Sequence, residues 1–185
     1  MSGLLDHAQS QLLVIDVQEK LLPTIHAVEA MIERVRLVVA AARELDVPIT
    51  LSEQYPKGLG PTQEALRHAC GNAAPVFAKT AFSCLRDDAL EAHLASRKNR
   101  KQLVIVGMEA HVCVLQTALD AKARGYDVFV ARDAVSSRAV PDVDAALTRM
   151  AHAGVTMISA EMAFFEWLER AGTPAFKTLA PLLKG

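Results

Sequence analysis

Residues 103–119 read LVIVGMEAHVCVLQTAL and pass directly from a strand pattern to a helix pattern. The apolar run 103–106 is typical of a buried parallel strand, and Leu115, Ala118 and Leu119 then recur at helical spacing. This predicts a strand–turn–helix unit with Cys113 in the first turn of the helix. Free backbone N–H groups and the helix dipole at that position favour a thiolate and can bind an oxyanion. The alternative is an inert cysteine packed in the core.

Short apolar runs alternate with helical patterns along most of the chain. The candidate strands are 12–15, 49–52, 76–78, 103–106, 127–131 and 155–158. Apolar residues spaced by three and four over 28–45 predict a long helix that ends before Pro48. The alternation predicts an α/β fold of three layers, a doubly wound parallel sheet with helices on both faces. Because no linker or repeat interrupts it, we expect one domain over 1–185.

Two charged residues stand at the ends of other predicted strands. Asp16 follows the run 12–15, and Lys79 follows the run 76–78. Ligands of open parallel sheets bind outside the carboxyl ends of the strands, so we expect both groups to converge with Cys113. Asp16 is predicted to take the thiol proton as general base, and Lys79 to help lower the thiol pKa. Taken singly, Asp16 also fits a helix cap and Lys79 a surface charge.

The composition excludes several classes of function. Lys and Arg number 20 and Asp and Glu 21, for a net charge of -1, so we expect no basic face for a nucleic-acid partner. The longest apolar runs are far shorter than the roughly 20 residues that span a membrane. The three cysteines form no C-x-x-C pair, and the N-terminus lacks the charged and apolar regions of a signal peptide. We therefore expect a cytoplasmic protein that binds no membrane.

Three motifs together resemble those of the isochorismatase-like superfamily of cysteine hydrolases. They are the D-x-Q triplet 16–18, the Lys79-Thr80 pair and the G-x5-C segment from Gly107 to Cys113. The segments 53–60 (EQYPKGLG), 107–113 (GMEAHVC) and 133–138 (DAVSSR) are similar to the isochorismatase domain-containing subgroup. The resemblance implies six parallel strands in the order 3-2-1-4-5-6. It also implies a hydrolase whose catalytic residues are Asp16, Lys79 and Cys113.

Acyl transfer through Cys113 needs groups that bind the oxyanion, and the resemblance implies a special peptide bond beside them. Backbone N–H groups of Cys113 and Glu109 are expected to bind it. A non-proline cis peptide bond is expected just before them, between Met108 and Glu109.

Six further residues are candidate contacts to a small-molecule substrate. Each has a structural alternative, which is a hydrogen bond that fixes a loop, packing in the core or contact with a neighbouring subunit. They are Gln18, Glu53, Gln54, Tyr55, Phe82 and His111.

No histidine spacing suits a metal site. The stretch 53–55 reads EQY where metal-dependent nicotinamidases of the superfamily carry Asp-x-His, so we expect no metal and no other cofactor. The leading hypothesis is hydrolysis of a small amide, or an ester, through an acyl-enzyme on Cys113. The alternatives are a redox-sensing or peroxide-reactive thiol, with Cys84 as its partner, and a catalytically idle interaction domain. The sequence does not name the substrate.

The segment 162–168 (MAFFEWL) concentrates bulky apolar residues on one predicted helix. We expect a homo-oligomer, at least a dimer, that buries part of this helix or of the helix after Cys113. The alternative is a helix that packs wholly against its own sheet.

Overall fold

The computed structural model describes residues 3–184 and has a six-stranded sheet in which all pairings are parallel. The strands are β1 (Ser10–Ile15), β2 (Ile49–Gln54), β3 (Val76–Lys79), β4 (Gln102–Met108), β5 (Asp127–Ser136) and β6 (Thr156–Ile158). Their order, β3-β2-β1-β4-β5-β6, confirms the order expected from the resemblance. Strand β5 runs five residues beyond its predicted end, and the other strands match the predicted runs to within about two residues at each end.

Helices cover both faces of the sheet, which confirms the three-layer architecture. They are α1 (Val28–Glu44), α2 (Pro56–Leu59), α3 (Glu64–Cys70), α4 (Asp88–Ser96), α5 (Leu115–Ala123), α6 (Val140–His152), α7 (Ala160–Leu168) and α8 (Pro174–Leu179). Helix α1 ends one residue before the predicted boundary. Within residues 3–184, no helix is both long and apolar enough to cross a membrane.

The central strands are buried on both faces because successive side chains of a strand point to opposite sides. In β1, Leu12 and Val14 join the core that lies under α1 and α7. Leu13 and Ile15 join the second core, under α4, α5 and α6. Strand β1 is therefore a rigid central element, and its carboxyl end has a fixed position.

Strands β1 and β4 approach each other so closely that position 107 requires glycine. A Cβ atom on Gly107 would lie 2.1 Å from the backbone oxygen of Ile15, and the φ angle of Gly107 is +128°. The pairing of β4 with β5 also shifts register between Ile105 and Gly107. This close approach brings the turn after β4 beside the end of β1.

Candidate active site

Three residues at the carboxyl ends of strands adopt left-handed backbone conformations. They are Asp16 after β1, Tyr55 after β2 and Glu109 after β4, with φ angles of 52°, 39° and 59°. Such conformations are uncommon for residues other than glycine and cluster at functional sites. All three lie near the point where the strand order reverses, between β1 and β4, which is where open α/β sheets bind ligands.

Asp16 and Lys79 form a fully buried ion pair at this edge of the sheet. The Oδ2 atom of Asp16 lies 2.8 Å from Nζ of Lys79, and both side chains are inaccessible to solvent. The second carboxylate oxygen, Oδ1, accepts a hydrogen bond from Oγ of Ser52 at 2.6 Å. Lys79 is therefore not a surface charge, and the structure brings these two predicted site residues together.

The ammonium group of Lys79 donates to three acceptors. They are Oδ2 of Asp16, Oε1 of Gln54 at 2.7 Å and the backbone oxygen of Phe82 at 3.1 Å. Burial by itself lowers the pKa of Lys79, but the Asp16 carboxylate, followed by the thiols of Cys84 and Cys113, raises it above its ordinary value. Lys79 is therefore charged, and all three of its N–H donors are in use.

Cys113 lies in a π-helical turn, Ala110–Val114, that precedes α5. Cys113 therefore lies in the first turn of the helical segment, as predicted, but this turn is π-helical, because the N–H of Leu115 donates to the carbonyl of Ala110, five residues back. Turns of this type are frequent at functional sites. Cys113 is 3% exposed, and its Sγ atom contacts Oε1 of Gln54 at 3.9 Å.

The thiol of Cys113 is protonated in this arrangement. Burial raises its pKa far above the ordinary value of 9.0, the Asp16 carboxylate raises it further, and Lys79 lowers it by less. The expectation that Lys79 helps to lower the thiol pKa is correct in direction, but burial and the Asp16 carboxylate raise the pKa by more. A nucleophilic role for Cys113 requires a base.

The predicted cis peptide bond between Met108 and Glu109 is also wrong. No cis peptide bond occurs between residues 3 and 184, and the chain turns instead through the positive φ angles of Gly107 and Glu109. Binding of an oxyanion by the N–H groups of Glu109 and Cys113 stays a prediction.

Gln18 and Glu53 bind other parts of the protein. Nε2 of Gln18 donates to the carbonyls of Gln54 and Gly60 at 3.0 and 2.7 Å, and its Oε1 accepts from the N–H of Gln54 at 2.7 Å. Oε1 of Glu53 accepts from the N–H and the hydroxyl of Thr62 at 2.7 and 2.8 Å. The structural alternative, a hydrogen bond that fixes the loop after β2, therefore describes both residues.

Two aromatic candidates lie at the mouth of the site. Tyr55 and Phe82 are 55% and 53% exposed. The N–H of Tyr55 donates to the carbonyl of Lys79, and the carbonyl of Phe82 accepts from the ammonium of Lys79, so both backbones are held against this residue. Their side chains are free to touch a substrate, which stays a prediction.

His111 connects the turn that carries Cys113 to the loop between β5 and α6. Its Nδ1 atom lies 2.9 Å from Oγ of Ser137, and its Nε2 atom lies 3.9 Å from the carboxylate of Asp142 on α6. Glu109 makes a second link, with Nε of Arg138 3.2 Å from its carboxylate. The structure therefore places His111 in a structural contact, and a contact with substrate stays a prediction.

Sequence reasoning missed Ser52, Ser137 and Arg138. Ser52 lies within the predicted strand 49–52 and carries no charge, so the search for charged residues that follow strands did not select it. Ser137 and Arg138 belong to the segment 133–138 that the resemblance drew attention to, but their contacts to the turn after β4 depend on the packing of neighbouring strands.

Cys84 is fully buried near the same group of residues. Burial and then the Asp16 carboxylate raise the pKa of its thiol to about 11, against smaller effects of Lys79, Ser52 and Thr117. Cys70, Cys84 and Cys113 are all free thiols. Between residues 3 and 184, no group of three or more His, Cys, Asp or Glu side chains is arranged to hold a metal ion.

Comparison with known proteins gives consistent matches over nearly the whole chain. The family model for the isochorismatase domain matches residues 10–162. Isochorismatase family protein 1B of Dictyostelium discoideum is 36% identical over 177 residues, which cover 95% of this chain and 86% of that protein. Isochorismatase domain-containing protein 1 of Danio rerio is 36% identical over 182 residues, 98% of this chain but only 63% of that longer protein. The structure of the MAR1 ribonuclease from Caenorhabditis elegans superposes with a TM-score of 0.91 at 36% identity, covering 98% and 92% of the two chains.

Proposed function

The chain belongs to the isochorismatase family and has the hydrolase fold of that family, and on this basis we propose that it hydrolyses a small amide, or an ester, through Cys113. The observation that carries the proposal is the convergence of Asp16, Lys79 and Cys113 at one edge of the sheet. The buried ion pair contributes no net charge. The site therefore suits a small, uncharged carbonyl group better than a phosphate.

The proposed acylation step needs Asp16 as base, because the thiol is protonated at rest. Asp16 takes the thiol proton while Sγ of Cys113 bonds to the carbonyl carbon of the substrate. The N–H groups of Glu109 and Cys113 bind the oxyanion that forms. When the carbon–nitrogen bond breaks, Asp16 returns the proton to the leaving amine, and a thioester remains on Cys113.

The proposed deacylation step reuses the same base. Asp16 takes a proton from a water molecule as the water attacks the thioester. The carbon–sulfur bond then breaks, the acid leaves, and the proton passes from Asp16 to the sulfur of Cys113. Lys79 keeps the Asp16 carboxylate oriented through both steps, since its Nζ atom donates to Oδ2 at 2.8 Å.

The buried thiol favours a hydrolase over a peroxide sensor. Cysteines that sense oxidants have a low thiol pKa and are accessible to solvent. Cys113 is 3% exposed and burial raises the pKa of its thiol, and Cys84 is fully buried as well.

The proposal includes assembly of the chain as a homo-oligomer. Helix α7 packs Phe164 and Trp167 into the core but leaves Met162 and Phe165 46% and 47% exposed on its outer face. Two large apolar side chains one helical turn apart form a surface that a second copy can cover. A sedimentation mass that stays monomeric at every concentration would refute this part of the proposal.

A panel of small amides and esters, with mass-spectrometric detection of products, tests the function. RNA belongs in the panel because a solved relative carries the name ribonuclease. We expect turnover of an amide by the native protein, survival of that activity after dialysis against a strong chelator, and no turnover by Cys113→Ala. Cys70→Ala is the matched control, because Cys70 is a buried cysteine at the end of α3, outside the site. Retention of activity by Cys113→Ala would refute the proposal.

A further inference from the structure

Gln54 contacts both Lys79 and Cys113, as Asp16 also does. Its side-chain oxygen, Oε1, accepts from Nζ of Lys79 at 2.7 Å and lies 3.9 Å from Sγ of Cys113, within range of a long S–H···O hydrogen bond. Neither contact follows from the motifs in the sequence. The amide therefore occupies the position between the ammonium group and the thiol.

The orientation of this amide is fixed by its other contacts. Nε2 of Gln54 donates to the carbonyl of Thr80 at 2.8 Å, so Oε1 must be the atom that faces Lys79. A flipped amide would place an NH₂ group against an ammonium group. The backbone of Gln54 is held by the two hydrogen bonds with Gln18 and by its register opposite Lys79 in the sheet.

An amide oxygen can accept a proton donor but cannot donate one. It therefore stabilises the S–H form of Cys113, and a thiolate in the same place would lose the hydrogen bond and face a partial negative charge. The same oxygen also accepts a hydrogen bond from one of the three N–H groups of the Lys79 ammonium. The other two N–H groups donate to Asp16 and to the carbonyl of Phe82. Lys79 can donate to a thiolate only if one of these bonds breaks.

We propose that Gln54 is a positioning residue that keeps Cys113 protonated at rest, by accepting its S–H and by holding the ammonium group of Lys79 away from the sulfur. The inference rests on the proposed role of Cys113 as nucleophile. It assigns Gln54 a task other than substrate binding.

The test is the pH dependence of alkylation of Cys113 by iodoacetamide, followed by mass spectrometry of the peptide that contains it. Gln54→Met keeps the length of the side chain but removes the acceptor, which frees a donor of Lys79 for the sulfur. We expect the midpoint of the profile to fall by at least one pH unit, and alkylation at pH 7.5 to be faster by about tenfold, because each unit of thiol pKa changes the thiolate fraction about tenfold.

Gln54→Glu should act in the opposite direction. It keeps both acceptor contacts and adds a negative charge beside the sulfur, so the midpoint should rise and alkylation should slow. Opposite shifts are the expected signature, since a residue that only supports the fold would affect both variants alike. Gln11→Leu is the matched control, because Gln11 is a fully buried glutamine at the amino end of β1, far from the site at the carboxyl ends of the strands. Its alkylation profile should match that of the native protein.

An unchanged or raised midpoint in Gln54→Met, or shifts of the same sign in both Gln54 variants, would overturn the inference. If Gln54→Met fails to fold by circular dichroism, Gln54→Glu decides alone, and an unchanged or lowered midpoint overturns it. The measurement needs no substrate. Failure of the amide panel would therefore refute the proposed function without changing the alkylation result. Unchanged alkylation in the Gln54 variants would overturn the inference about Gln54 without changing the outcome of the panel.

Discussion

The two ends of the sheet are both polar and buried, yet they are built from different chemistry. At the amino end, Oε1 of Gln102 accepts from the N–H of Asp6 and from the hydroxyl of Ser10, and that hydroxyl oxygen also accepts from the indole N–H of Trp167. At the carboxyl end, an ion pair is buried beside a thiol. The first network ties the chain before β1 and helix α7 to the sheet, and the second holds opposite charges away from water.

This difference indicates which end has a role beyond stability. Neutral hydrogen bonds satisfy buried polar groups at little cost. A buried ion pair loses its hydration, and this loss can exceed the attraction between the charges, so such a pair is weak evidence for stability. We infer that the Asp16–Lys79 pair persists because the site uses it, while the network around Gln102 serves the fold.

The largest expected effect on stability comes from removing one charge of the pair. Lys79→Met leaves the Asp16 carboxylate buried without its partner and should lower the free energy of unfolding by about 3–5 kcal/mol. The double variant Asp16→Leu/Lys79→Met should recover most of this loss. Urea unfolding at neutral pH measures both. Losses that simply add in the double variant would contradict the idea that the charges depend on each other.

A second effect appears at alkaline pH. The pKa of the buried Cys84 thiol is raised to about 11 from 9.0, so from about pH 9 upwards the unfolded chain loses the thiol proton while the folded chain keeps it. The contribution of this residue to the free energy of unfolding is therefore complete below pH 9. It is lost as the pH rises through 11, which lowers the free energy of unfolding by about 2–3 kcal/mol. Urea unfolding of the native protein and of Cys84→Ala between pH 8 and 11 measures how the free energy of unfolding of each depends on pH. Equal slopes for the two proteins would count against it.

The smallest effect is expected at the amino end. Gln102→Leu removes the acceptor for the N–H of Asp6 and the hydroxyl of Ser10, and should cost about 1–2 kcal/mol. Because Gln102 lies at the opposite end of β4 from Cys113, kcat/KM of the folded fraction should stay at the native value. A fall in kcat/KM beyond the loss of folded protein would show that the two ends do not act separately.

The sequence predicts the convergence of Asp16, Lys79 and Cys113 well, because all three depend on strand ends. The carboxyl ends of parallel strands lie at one edge of a sheet, so the apolar runs and the residues that follow them determine which side chains meet. The strand order came from the resemblance, and the structure confirms it.

The contacts of Gln54 could not be predicted in this way. They depend on the register that sets Gln54 opposite Lys79 and on the hydrogen bond from Nε2 to Thr80, which selects the orientation of the amide. The direction of the pKa shift of Cys113 could not be predicted either, because it depends on how the whole chain packs around the thiol. Burial is a property of the whole fold, and with the Asp16 carboxylate it raises the pKa of Cys113 by more than Lys79 lowers it.

The most direct measurement is the mass of Cys113 during turnover. A substrate from the panel is mixed with the protein, the reaction is quenched in acid within milliseconds to seconds, and the peptide that contains Cys113 is weighed. We predict that this peptide gains the mass of the acyl group, that the peptides of Cys70 and Cys84 do not, and that Asp16→Asn shows far less of the adduct. Turnover without any adduct on Cys113, and with equal rates in Cys113→Ala, would contradict the account.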